Sequence, residues 1–177
     1  LTLGIGSNAI TLEAFDSRGN PVGTDSITVT RTGGPDTPGP DKLVVSELFY
    51  NPAGQVEDTE FIELLNVGAS SLDLSGTRFT DGIDFTFPGA TTLAPGEHIL
   101  VVANRVAFEA RYGTGLPIAG EFENGTVLSN GGELITLQND TGIIIQSFTY
   151  GDSSPWPEEA DGDDFSLVLV SPESLPD

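Results

Sequence analysis

Residues 132–151 read GELITLQNDTGIIIQSFTYG. Two apolar runs, 133–138 and 143–150, flank Asn139-Asp140-Thr141-Gly142. Short β-prone runs on either side of an Asn/Asp/Gly turn predict a hairpin, because those turn residues accept the backbone conformations that a tight reversal needs. Outward from this hairpin the pattern repeats, with strand-like runs at 43–50, 60–66, 77–80, 84–87, 98–103 and 165–170. Pro95-Gly96 and Gly131-Gly132 punctuate them. Only 105–112 has helical character, for about two turns. Many short strands with frequent turns predict an all-β sandwich or barrel with at most one short helix.

The first 33 residues stand apart. Runs at 9–15 and 26–30 surround Asp16-Ser17-Arg18-Gly19-Asn20, a second hairpin signal. Two strands cannot bury a core alone, so this hairpin is expected to belong to a neighbouring domain or to pack on the strands C-terminal to it. Residues 34–41 contain Pro35, Pro38 and Pro40. Proline lacks the N–H that a strand ladder needs, and the segment reads as a linker. The expected organisation is a hairpin at 1–33, a linker at 34–41, a sandwich at 42–172 and a tail at 173–177.

Composition narrows function. The chain has 177 residues, 27 acidic against 6 basic, and a formal charge of −21. Such a field repels phosphate backbones and anionic bilayers, so nucleic acid and membrane insertion are not expected. No cysteine is present and His98 is the only histidine. Thiolate chemistry, disulfides and histidine-rich zinc sites are thereby excluded.

From residue 43 onward the sequence resembles the lamin tail domain in the form carried by bacterial extracellular proteins. VVSELFYNP (44–52) is similar to the family's first strand, with Glu47, Asn51 and Pro52, and DTEFIELLN (58–66) to its second, with Glu60, Glu63 and Asn66. LAPGEHILVVA, LSNGGELITL and DTGIIIQSFTYGD come next in the family's order, and PWPEEADGDDFSLVL supplies the closing segment, with Trp156 and Gly162. Asp163-Asp164 stands where the family usually has a small residue. The resemblance implies an Ig-like β-sandwich. The first hairpin is in turn similar to the last hairpin of Ig-like domains in bacterial surface proteins. In animals the lamin tail domain ends nuclear filament proteins and binds proteins and chromatin. This sequence shows no heptad repeat, prenylation box or basic patch, so the implied setting is a large secreted or surface protein instead, with a protein or glycan at the cell surface as partner.

Three groups of residues invite chemistry. Strand alternation places Glu60 with Ile62 and Leu64, Glu63 with Phe61, and Glu47 with Val45 and Phe49. If the two strands pair, Glu47 and Glu63 can converge on Arg78 or a metal, as a cation site or a carboxylate pair; otherwise they are half-buried carboxylates that fix a loop. Asp152, Glu158, Glu159, Asp161, Asp163 and Asp164 crowd one loop. Calcium takes six to eight oxygens from such loops, and Glu158, Asp161, Asp163 and Asp164 are its candidate ligands, against the alternative of a solvated acidic surface. Trp156, between two prolines, either plugs the core or offers an indole face to a sugar. No nucleophile elbow accompanies His98, and the expected function is a non-catalytic interaction or spacer module.

Overall fold

The computed structural model describes residues 6–31, 33–54 and 56–171. The chain forms two compact units, Leu1–Gly34 and Pro35–Asp177. The first is a two-stranded antiparallel hairpin of β1 (Gly6–Phe15) and β2 (Pro21–Arg31). Its turn is held by Asp16, whose Oδ1 accepts from the N–H groups of Arg18 and Asn20. Ile10 lies opposite Ile27 in the register, and Leu12 and Ile27 are exposed.

The second unit is an Ig-like β-sandwich. Its strands are β3 (Leu43–Phe49), β4 (Phe61–Asn66), β5 (Leu72–Asp73), β6 (Arg78–Asp81), β7 (Phe85–Thr86), β8 (Thr92–Leu93), β9 (His98–Val102), β10 (Ile118–Glu121), β11 (Leu134–Gln138), β12 (Ile144–Thr149) and β13 (Leu167–Val168). One helix, α1 (Arg105–Tyr112), separates β9 from β10. A five-stranded sheet runs β10-β9-β4-β3-β13 and a four-stranded sheet β12-β11-β6-β7, with β5 and β8 paired beside them. All pairings are antiparallel except β10 on β9.

The core lies between the two sheets. Leu43, Leu48, Ile62, Leu64 and Val101 from one sheet meet Phe79, Ile135, Leu137 and Phe148 from the other. Each large apolar side chain buried there stabilises the fold by about 1.5–3 kcal/mol. The five-stranded sheet is buried on its other face too, where Phe49, Phe61, Leu100 and Val102 pack with Phe108 of α1. This double burial explains why 43–50 is mostly apolar and shows no strict alternation. Asn104 caps α1 through a bond from Ala107 N–H to its Oδ1 (3.0 Å), and Gly113 (φ 90°) ends it.

Three expectations need correction. The segment 34–41 is largely not a free linker. Asp36 bridges Leu72, donating to Ser71 O (2.7 Å) and accepting from Asp73 N–H (2.8 Å), and Pro38 O accepts from the buried Asn139. Prolines that lack an N–H still present carbonyls, and the sandwich uses them. The sandwich therefore starts near Pro35, before residue 42. Strands β5, β8 and β10 were not legible as strands, being two to four residues long. The register of β3 on β4 shifts between Val45 and Glu47. This bulge at Ser46 puts Val45 in the main core with Leu48, so Glu47 shares a face with Phe49 but not with Val45. The expected tail, 173–177, and residue 172 lie outside the described residues.

Candidate functional site

The closing segment is tied to the loop after β3. Asn51 Nδ2 donates to Asp161 Oδ1 (2.6 Å), and Gly162 N–H donates to Asn51 O (3.2 Å). Asp164 Oδ1 accepts from Ala53 N–H (3.1 Å) and pairs with Arg111 of α1 (2.8 Å). The Arg111 hydrogen bond, more than that of Ala53, holds the Asp164 carboxyl below the usual range. Arg111 also lies 5.0 Å above the ring of Phe49. Asp164 sits at φ 73°, a left-handed conformation that favours glycine and is tolerated by Asp. Asp164 thus takes a backbone shape that favours a small residue and adds a bridge to α1.

The four expected calcium ligands are not gathered. Glu158 opens a single 3₁₀ turn, Glu158–Ala160, while Asp161 and Asp164 face Asn51 and Arg111. Among the described residues no group of three or more His, Asp or Glu side chains is arranged to hold a metal.

The glutamates of β3 and β4 also serve separate partners. Glu47 stands opposite Glu63 in the register. Glu47 Oε1 accepts from Ser166 Oγ, while Glu63 Oε1 accepts from Ser46 Oγ (2.7 Å) and pairs with His98 Nδ1 (2.7 Å). Arg78 does not join them. It lies on β6 in the other sheet, within 3.5 Å of Asn139 O and of Gln138 Oε1. Asn66 is fully buried, donating to Ser70 O and Leu93 O and accepting from Gly68 N–H.

Glu60 is fully buried, as its alternation with Ile62 and Leu64 implied. Its Oε2 accepts from Leu128 N–H (2.8 Å), while its Oε1 has no hydrogen-bond partner among the described residues. Desolvation pushes its carboxyl up to about 8, partly offset by the Leu128 bond and reinforced by Glu57 and Glu133. Tyr150 packs on Tyr50 (4.8 Å between ring centres) and donates to Ser129 O (2.7 Å). Burial raises both phenols, that of Tyr50 to about 12.

One open feature of the sandwich is a mostly apolar groove of about 260 Å³ along the side where β3, β12 and β13 meet. Leu48, Gln146, Phe148, Trp156, Leu167 and Val170 line it. Trp156 is half-buried and packs against the main core, so it both plugs the sandwich and presents a wall to the groove. The sequence pattern singles out Trp156 but not Gln146 or Phe148. Their signal is modest: alternate positions on a strand whose place at a sheet edge only the topology reveals.

Two packed sheets, a single helix on one outer face and carboxylates bound mostly to loops define an Ig-like, all-β module of a typically non-catalytic kind. The family model of the lamin tail domain matches residues 36–152, and the chain belongs to that family. No curated protein matches the chain.

Proposed function

We propose that the chain is a non-catalytic interaction module of a secreted or cell-surface bacterial protein, and that it holds a protein or glycan through the β3–β12–β13 side of its sandwich. The observation that carries this reading is the apolar groove beside Trp156. Apolar surface left open at a sheet edge marks interaction sites on otherwise well-covered domains. The charge of −21 favours a neutral or cationic partner. The polar groups that most resemble a catalytic set are engaged separately: Glu63 pairs with His98 and accepts from Ser46, while Glu47 accepts from Ser166 of the closing segment.

Displaying the chain against arrays of surface glycans and extracellular proteins tests the proposal. Wild type should retain a ligand that Val168→Glu, placed on the exposed rim of β13, loses at unchanged melting temperature. Turnover of a glycoside or ester, abolished by Glu47→Gln or Glu63→Gln in a folded protein, would overturn it.

A further inference from the structure

The groove has a polar element that its apolar walls do not explain. Gln146 is 7% exposed, and its Oε1 accepts from Val45 N–H at 2.7 Å, next to the β3 bulge. That bond fixes the amide orientation, since an N–H can only be met by the oxygen. The Nε2 is thereby turned to a position where it is buried without an acceptor among the described residues. A buried donor left unpaired is destabilising, and a bound acceptor would recover that cost. The side chain lines the groove.

Beside it runs a strand edge that no described strand pairs with. β12 is the outermost strand of its sheet. Tyr150 N–H donates to Glu133 O across the β11–β12 ladder. Antiparallel pairs alternate, so Gln146 and Phe148 turn their backbone groups toward β11, while Ser147 and Thr149 turn theirs outward. β12 carries no charge and no proline, two features that commonly blunt an edge.

The chain's charge is strongly of one sign, at −21, and Glu47 is the charged residue among those lining the groove. The stretch from β12 to Ser171 carries Asp152, Glu158, Glu159, Asp161, Asp163 and Asp164 with no Lys or Arg, and Arg111 is the cation bridged to it.

Building on the interaction-module reading, we infer that the groove takes an extended polypeptide as a strand added to β12. Its apolar side chains pack against Leu48, Phe148 and Trp156, a backbone carbonyl accepts from Gln146 Nε2, and its lysines or arginines answer Glu47 and the chain's overall negative charge. Main-chain bonds to Ser147 and Thr149 supply pairing, and alternate side chains supply selectivity.

The test uses the full chain, ¹⁵N-labelled, with a nine-residue peptide alternating valine and lysine, its glutamate counterpart, and two N-methylated versions of the lysine peptide that block alternate sets of amides. The lysine peptide should shift amide signals along β12 and β13, perturb Trp156 fluorescence, and bind at least tenfold more tightly than the glutamate peptide at low salt. One N-methyl series should abolish the β12 shifts and the other leave affinity within about twofold, because only alternate amides face the edge. Gln146→Met should weaken binding about five- to tenfold, as expected for one hydrogen bond. Equal binding of both N-methyl series would reduce the effect to charge attraction and overturn strand addition. Equal binding of the glutamate peptide would overturn the cationic occupant while leaving the groove an interaction site. No shift on β12 with any peptide, while an array ligand is still lost on Val168→Glu, would overturn this inference alone.

Discussion

At the scale of single residues, two positions carry measurable consequences. Glu60 has its folded-state carboxyl raised to about 8 from an ordinary 4.5, chiefly by burial. A raised value means that the folded state holds the proton over a range where the unfolded chain has released it. The stabilising contribution is therefore complete below pH 4.5 and is lost as pH rises through about 8. Melting temperature should fall between those limits, by an amount corresponding to a few kcal/mol at about 1.4 kcal/mol per pH unit. Glu60→Gln should flatten that slope, as followed by thermal melts from pH 4 to pH 9. Gly132 is the second position. At φ 92° it leaves space for no Cβ, which would stand 2.4 Å from Tyr150 O. Gly131 has open space at the same place. Gly132→Ala should cost about 2 kcal/mol or more in denaturant titrations, and Gly131→Ala about 0.5 or less. A shared outcome for the two would remove the steric account.

At the scale of elements, the hairpin β11–β12 was the most legible piece. Its turn works as the sequence suggested, with Asn139 Oδ1 accepting from Thr141 and Ile143 N–H groups and Gly142 at φ 85°. α1 was equally readable, at 105–112, and Asn104 and Gly113 bracket it in the structure. β10 was not, since a four-residue strand containing Gly120 shows no alternation, and its place comes from parallel pairing with β9. Glu60 was assigned to the right face from spacing alone, whereas the misplacement of Val45 relative to Glu47 came from a bulge that spacing cannot announce. The acidic loop shows the same limit. Composition gathers its carboxylates; the fold sends Asp161 to Asn51 and Asp164 to Ala53 and Arg111. From that geometry, calcium should raise the melting temperature no more than sodium chloride at matched ionic strength, since both then act by screening. An excess with calcium that Asp161→Asn removes would mean that the loop rearranges into a site.

At the scale of the whole molecule, the all-β class was readable from many short strands and turns, and the lamin tail domain from motifs that resemble the family's in order over most of the chain. The domain boundary was read a few residues late, because proline-rich composition resembles a linker even when its carbonyls are bonded. Deleting residues 1–34 should leave the sandwich with a cooperative melt within a few degrees of the full chain. Deleting 1–38 removes the Asp36 bridge to Leu72 and the Pro38 carbonyl that Asn139 uses. That longer deletion should melt several degrees lower by calorimetry, as the loss of buried hydrogen bonds requires. Equal melting of the two would show that 35–38 adds nothing to the sandwich.

The antiparallel seating of β13 on β3 also has a mechanical meaning. Leu167 faces Leu48, Val168 faces Glu47 and Leu169 N–H reaches Ser46 O, so the chain leaves β13 at the end where it enters β3. A tug applied through the backbone on either side of the sandwich meets these bonds one after another, like a zip, rather than all together in shear. On the entering side the clip is Asp36, held to Ser71 and Asp73 by one bond each. Anchored in series between other modules, the sandwich would give way first at its two ends, lengthening at low load while β4, β9 and β11 stay folded.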